Sequence, residues 1–304
     1  MRIADLTPLE LRRRLSRSGL LLPCGPFCVR LRSPLPGLAS DIALLYQDFP
    51  VLEPHTYVDF EVVLQSPTPL RRFLRPQVSL LCDGRIPFKP LPLDQAFPML
   101  EWGLNWVISS HAHDHLVIHA AVVERDGRCL ILAADPGSGK STLCAALVHQ
   151  GWRLLSDELT LVDLNDGMVC PIARPISLKN QSIGVVRTLE EQVVMGRVCH
   201  DTAKGSIAHV RPPTASVLAM DQRARPAMLV FPKYNRDTPL ISIPQGKAHA
   251  LMELTRHTFN FSVLGGVGFD ALARLIDQVQ CHRLEYKSFE QVIPEIEYLW
   301  EEGL

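Results

Sequence analysis

The sequence predicts an α/β fold: a mixed-sheet core around a phosphate-binding loop, preceded by a smaller β-rich N-terminal region. Three observations carry that reading. The stretch 130–163, LILAADPGSGKSTLCAALVHQGWRLLSDELTLVD, runs from an apolar strand through a Gly/Pro-rich loop into a helix starting at Ser141. Gly151 ends that helix, and a second strand stops on Asp157–Glu158. Downstream, strands alternate with helices to about residue 301, as in α/β cores. The turn signals Asp126-Gly127 and Asn165-Asp166-Gly167 mark hairpins, which make the sheet mixed rather than purely parallel.

The chain has 304 residues, enough for two units, and divides in expectation into 1–110 and 111–304. It is 47% hydrophobic and 21% charged, as folded globular proteins are. A formal net charge of −1 gives no general basicity for nucleic acid or anionic lipid. The opening MRIADLTPLELRRRL is interrupted by charges and reads as neither signal peptide nor membrane span. Eight cysteines lack the paired spacing of a zinc site, and Cys129 and Cys144 sit in apolar patterns as small buried hydrophobes. A reducing cytoplasm is the expected compartment, with no nucleic-acid and no membrane partner.

Thr7-Pro8-Leu9-Glu10 reads as a capped helix start, with Gly19 as the stop. Between 27 and 90, the runs FCVRLRS, YVDFEVVLQ and QVSLLCDGRIPF predict a meander of short antiparallel strands, a scaffold or recognition surface. Residues 94–110 read as a helix with Trp102 and Trp106 on one face, a pair expected in the core or at an interface. A hairpin of strands at roughly 115–124 and 128–134 follows. His111, His113 and His115 precede it as a polar loop rather than a metal cluster, and His119 falls inside its first strand. Lys204, His209 and Arg211 gather in the segment 201–213, and a buried strand ends on a basic tip, Lys233 and Arg236.

The loop matches G-x-x-x-x-G-K-[ST] except that Ala134 stands at the first glycine. Its chemistry follows from residue type. Backbone N–H groups of Asp135, Pro136 onward through Gly137, Ser138, Gly139, Lys140, Ser141 and Thr142 face an anion, proline contributing none itself. Lys140 adds a point charge, Ser141 a hydroxyl for Mg²⁺, and the carboxylates arrive on the neighbouring strand end.

Beyond the loop, three elements resemble the HPr kinase/phosphorylases, and more specifically the HPr-kinase-related proteins. They are His119-Ala120 where that family has His-Gly, the loop DPGSGKS, and GWRLLSDE where the family ends in two aspartates. The intervals are similar too: 21 residues from His119 to Lys140 and 17 from Lys140 to Asp157. The close likeness spans about 115–163, with element order similar to about residue 290, and EWGLNW looks like the N-terminal part of the related kinases.

The resemblance implies a kinase core shared with phosphoenolpyruvate carboxykinases, using ATP and Mg²⁺ to phosphorylate a hydroxyl of a protein, peptide or small molecule, most simply a serine. It implies a homo-oligomer as well. Lys140 and the loop would hold the β- and γ-phosphates, with Ser141, Glu158 and Asp157 on the metal side. Asp157 would take the hydroxyl proton, His119 orienting it or tuning its pKa. The family's second aspartate is Glu158 here, which leaves open which carboxylate is base and which faces the metal. Lys179, Lys204, Arg211 and Lys233 are the candidate phosphate or acceptor contacts. Two other activities fit the same motif: an NTPase with water as acceptor, and a nucleotide-sensing module with weak or no transfer.

Overall fold

The computed structural model describes residues 1–189 and 193–303. The N-terminal helix Pro8–Ser16 begins as its sequence dictates: Thr7 Oγ1 accepts the Glu10 N–H, and the Glu10 carboxylate reaches back to the Thr7 N–H at 2.8 Å. A five-stranded sheet follows, in the order Leu20–Cys24, Phe27–Arg32, Phe60–Gln65, Gln77–Cys82, Leu91–Pro92. The expected antiparallel meander is corrected here. Phe27–Arg32 and Phe60–Gln65 run parallel, and the chain returns between them through a helix, Pro36–Leu45. Parallel neighbours need such a crossover. Proline in the first turn and the buried Leu38, Ala39, Ile42 and Leu45 explain why PGLASDIALL is helical.

Helix Ala96–His111 lies on this sheet, packing Leu100, Leu104, Val107 and Ile108 with Val62, Leu64, Val78 and Leu80. Contact is closest at Gly103, where a Cβ would stand 2.0 Å from Leu80 Cδ1. The same apolar cluster continues into Val117, Leu159, Leu161, Cys170 and Ile172. Packing is therefore unbroken at residue 110, and that continuity brings the helix against the second half of the chain.

The second half is built on a six-stranded mixed sheet: Ile241–Pro244, Gln280–Tyr286, Arg225–Tyr234, Arg128–Ala133, Ala120–Arg125, Arg153–Ser156. The strands at 128, 225 and 280 are mutually parallel, and the outer ones antiparallel. Helices Lys140–His149 and Phe289–Glu302 cover one face, through Leu143, Leu147, Val292, Ile296 and Trp300. Helices Lys247–Arg256 and Gly266–Gln278 cover the other, through Ala250, Leu254, Leu272 and Leu275. Burial on both faces accounts for the nearly unbroken apolar runs of the central strands.

Two three-stranded sheets complete the molecule. One orders Val169–Cys170, Thr160–Asp163 and His115–Ile118; the other orders Ile176–Lys179, Gly205–Val210 and Cys199–Thr202. The first changes one expectation. The single strand expected over 115–124 is split at His119: His115–Ile118 pairs with Thr160–Asp163, and Ala120–Arg125 joins the six-stranded sheet. His119 belongs to neither ladder, and its N–H donates to the His257 carbonyl at 2.7 Å. Among the described residues no helix is long and apolar enough to cross a membrane.

Candidate functional site

Strand Arg128–Ala133 delivers the chain into the loop, and helix Lys140–His149 carries it away. Gly137 and Gly139 have φ of +90° and +92°, the left-handed region that favours glycine. Ala134 is not among the positive-φ residues, so alanine at the first motif position costs the loop nothing. The loop rests on two tyrosines. The Tyr234 N–H donates to the Ser138 carbonyl at 2.9 Å, and a Cβ at Gly139 would lie 3.1 Å from both Tyr234 Cβ and Tyr286 Oη. In the first helical turn the N–H groups have no partners within the helix and point out of its end. Gly151, at φ +91°, terminates the helix as its position indicates.

Lys140 is 6% exposed, and its ammonium donates to the His119 carbonyl at 3.3 Å. Burial lowers its pKa, while Glu158 and Asp157 pull it back up. A buried ammonium with one long carbonyl contact has room for an anion as its main partner.

The two carboxylates at the end of strand Arg153–Ser156 differ sharply. Asp157 is buried; its Oδ2 accepts the Ser177 N–H at 2.9 Å, and its Oδ1 has no partner among the described residues. Burial, and then the neighbouring Glu158 charge, push its pKa up to about 6 against the opposing Ser177 N–H, Lys140 and the Ser141 hydroxyl. Glu158 goes the other way. Burial alone would raise it, but His119, Lys179 and Lys140 together hold it well below the usual carboxylate range. His119 Nε2 lies 3.3 Å from Glu158 Oε2, and Lys179 Nζ 3.5 Å from Glu158 Oε1. The expectation that His119 orients Asp157 is thus corrected: its ring contacts Glu158. The register explains why, because the break at His119 frees its side chain from the strand alternation that would have set its direction.

His119 is held from a part of the chain with no sequence signal. Phe259 stacks on its ring at 5.5 Å and 27°. Next to it, buried Asn260 accepts the Val117 N–H at 3.0 Å and donates to the His115 and Ala112 carbonyls at 2.8 and 3.2 Å. The segment 257–260 therefore clamps the chain on either side of the histidine.

Family and structure comparisons bear on this region. A family model, SynChlorMet cassette protein ScmC, matches residues 94–169, about a quarter of the chain. That span runs from helix Ala96–His111 through His119 and the loop to the carboxylates and the hairpin beyond. Among solved structures, the chain is similar to the HPr(Ser) kinase/phosphatase from Coxiella burnetii, at 12% identity and a TM-score of 0.29, over 62% of this chain and 99% of that one. Superposition that loose carries no conclusion about fold or chemistry. No curated protein matches the chain.

A cavity of about 10 Å³, room for one water, lies beside the carboxylates. Trp102, Asn105, Asp157, Glu158, Arg174 and Ser177 line it. In its wall Glu101 takes the Tyr46 hydroxyl at 2.5 Å and Arg174 Nη1 at 3.0 Å, and Arg174 also reaches Asn105. Sequence reasoning missed this group. Glu101 and Arg174 lie in apolar surroundings 73 positions apart, and Trp102 differs from Trp106 only in the direction it faces. Trp106 packs edge-on against Phe88 and His111 as expected of the core, whereas Trp102 borders the cavity.

Of the candidate contacts, Lys179 and Lys204 come to the carboxylates' side of the cleft, Lys204 with its ammonium 5.3 Å from the Trp102 ring centroid. Lys233 is exposed and pairs with Glu285 at 3.2 Å, and Arg211 lines a groove behind the loop helix with Ala145, Val148 and His149. Neither stands beside the carboxylates: Lys233 lies near the end of strand Arg225–Tyr234, and Arg211 lies just past strand Gly205–Val210. Asp135 and Pro136 form the exposed crest of the loop. Thr142 is turned inward, its hydroxyl donating to Ser182 Oγ at 2.9 Å. His115 is buried against Cys170 at 3.6 Å, and His111 Nδ1 contacts the Val107 carbonyl at 2.8 Å. Among the described residues no three His, Cys, Asp or Glu side chains stand together as a self-sufficient metal site.

The residues nonetheless suit a magnesium nucleotide. Magnesium in such sites takes one or two carboxylates and completes its shell with phosphate oxygens and water. Asp157 Oδ1 and, in the loop, Ser138 Oγ are buried polar atoms without partners among the described residues. Together with Lys140 and the helix end, they are the groups a polyphosphate and its cation would satisfy.

Proposed function

We propose that this protein is an ATP- and Mg²⁺-dependent phosphotransferase that phosphorylates a hydroxyl, most simply a serine-type alcohol. The observation that carries the reading is the meeting of buried Lys140 with a carboxylate pair of opposite character at one helix N-terminus, Asp157 keeping one oxygen open. Lys140 and the loop N–H groups hold the β- and γ-phosphates, and Ser141 with Glu158 would hold the metal. Bound magnesium supplies neutralisation of charge on the phosphates. Asp157 Oδ1 receives the proton of the acceptor hydroxyl as its oxygen bonds to phosphorus, and ADP leaves with the electron pair of the broken P–O bond. A base with a pKa of about 6 is ionised at neutral pH yet basic enough to share a proton. Glu158, kept anionic by His119 and Lys179, holds the charge balance beside it.

One observation favours exchanging the two roles. Ser141, the expected metal hydroxyl, acts on Asp157, while His119 orients Glu158. The test uses calorimetric Mg·ATP binding together with γ-phosphoryl transfer to a panel of serine peptides and small alcohols, followed from pH 5 to 9. Under the first assignment kcat/KM rises through about pH 6, and Asp157→Asn abolishes transfer but keeps nucleotide affinity. Under the second, Asp157→Asn weakens the magnesium dependence of binding, and Glu158→Gln is the variant that binds without transfer. A wild-type chain that binds no Mg·ATP overturns both.

A further inference from the structure

The cleft beside the carboxylates is walled on its far side by elements that take no part in holding the loop. Helix Ala96–His111 contributes Trp102 and Asn105. The hairpin Cys199–Thr202/Gly205–Val210 contributes Lys204 at its turn. Two contacts tie this hairpin to the start of the helix: Cys199 Sγ to the Asp94 carbonyl at 3.2 Å, and Gln95 Nε2 to the Asp201 carbonyl at 3.4 Å. Those ties set the Lys204 ammonium over the Trp102 ring. It meets no carboxylate among the described residues, and Glu158 is taken by Lys179 and His119. Burial of its head and the Lys179 charge lower the pKa of Lys204, and the Glu158 charge opposes them. Such a pair of neighbouring cations is eased by an incoming anion.

Polar vacancies converge on the same place. Asp157 Oδ1, Ser177 Oγ and Arg174 Nε are all buried without hydrogen-bond partners among the described residues, on residues 3–6% exposed, and all three residues line the one cavity. The cavity has room for one water, so the groups within it are satisfied by that water or by a single ligand atom such as a hydroxyl oxygen, the rest of the ligand lying outside against Trp102. An aromatic face, an unpaired ammonium and an open carboxylate oxygen together describe a small polar molecule with one negative end and one hydroxyl end.

We propose that Trp102 and Lys204 form the acceptor subsite, and that the acceptor is a carboxylate-bearing alcohol. Its carboxylate lies toward Lys204, its carbon chain against Trp102 and its hydroxyl toward Asp157 Oδ1. The proposal rests on the phosphotransferase reading above for the reaction, but not for binding. A single ammonium over a ring suits a monoanion; a second phosphate would call for a guanidinium fork or an amide nest. In the reaction the acceptor O–H bond breaks and an O–P bond forms, the bridging P–O bond of ATP breaks, Asp157 takes the proton and ADP the electron pair. The carboxylate has two sources: a free hydroxy or amino acid, or an acidic residue flanking a peptide serine.

Binding decides this without turnover. The full chain is titrated calorimetrically with L-serine, 3-hydroxypropionate, serinol, a Ser peptide flanked by Asp, and its Asn counterpart, each with and without Mg²⁺ and a non-hydrolysable ATP analogue. The carboxylate-bearing member of each matched pair should bind at least about ten-fold tighter, the loss expected for one charge-assisted contact. Lys204→Met should erase that preference and Lys204→Arg restore part of it; Trp102→Phe should weaken both members of a pair alike. The serine arm and the peptide arm then identify the source. Equal affinity for charged and neutral partners, no binding by any compound, or a preference that survives Lys204→Met would overturn the subsite. Absence of Mg·ATP binding would instead overturn the phosphotransferase reading, leaving the carboxylate preference to stand or fall on its own titration.

Discussion

Asp157→Asn isolates the energetic consequence of placing a carboxyl where this one sits. Its folded pKa is about 6 against an ordinary value of 3.8. The native state therefore binds the proton more tightly than the unfolded state does, and stability falls as pH rises from about 4 through 6. A difference of about two pH units at 1.36 kcal/mol per unit makes the ionised group roughly 3 kcal/mol unfavourable at pH 8. Asparagine is neutral at every pH, and its amide oxygen can still accept the Ser177 N–H. The variant should thus exceed wild type by roughly 3 kcal/mol at pH 8 and match it near pH 4. With an unfolding entropy near 2.1 cal/mol/K per residue over 304 residues, the gap is roughly 5 °C in Tm. Thermal unfolding followed by fluorescence across pH 4–8 measures it. Glu158→Gln is the internal control with opposite sign. Glu158 is held below its ordinary value, so its contribution is present above the ordinary glutamate pKa of 4.5 and is lost on acidification through the depressed folded pKa. The Gln variant should be the less stable at pH 8, the gap closing as acid is added. A Tm for Asp157→Asn that is lower than wild type, by the same amount at pH 5 and pH 8, would refute the reasoning. It would mean that Asp157 is held by contacts rather than strained by burial.

Two further perturbations probe the loop and the buried network. Gly137→Ala and Gly139→Ala impose the same left-handed strain of about 1–2 kcal/mol, but only at Gly139 does the new Cβ meet Tyr234 and Tyr286 at 3.1 Å. Both should lower Tm, and Gly139→Ala should lose the greater share of calorimetric ATP affinity. Glu101→Gln leaves buried Arg174 without its carboxylate partner and should cost about 3–5 kcal/mol in urea unfolding, with Glu101→Leu/Arg174→Met recovering much of it. A loss below about 1 kcal/mol would show that Asn105 alone satisfies the guanidinium.

Where a feature depends on a few neighbouring residues, the chain spelled it out. The Thr7–Glu10 capping box, the Asp126-Gly127 turn with φ of 54° and 76°, and the left-handed Gly137, Gly139 and Gly151 are all read from residue type and short spacing. The helix Pro36–Leu45 was missed because its apolar residues sit among strand-like runs, and the parallel pairing it permits is a property of strand order. The site divides the same way. Lys140 and Asp157–Glu158 follow from the strand–loop–helix–strand order, but nothing near Phe259, Asn260 or Arg174 marks them as neighbours of His119 or Asp157.

By itself, then, the sequence determined that a glycine-rich loop would open a helix with a lysine at its mouth and two carboxylates close by. Hydrogen bonds between residues three or four apart and the φ preference of glycine act within one segment and need no other. Tertiary structure alone decided that His119 contacts Glu158 rather than Asp157, that burial raises the pKa of Asp157 while neighbouring cations lower that of Glu158, and that Trp102 rather than Trp106 faces the cleft. Each of those depends on desolvation and on the direction in which a side chain leaves its backbone. Both are set by distant segments, residues 96–111, 174–179, 199–210 and 257–260, packed around the same point.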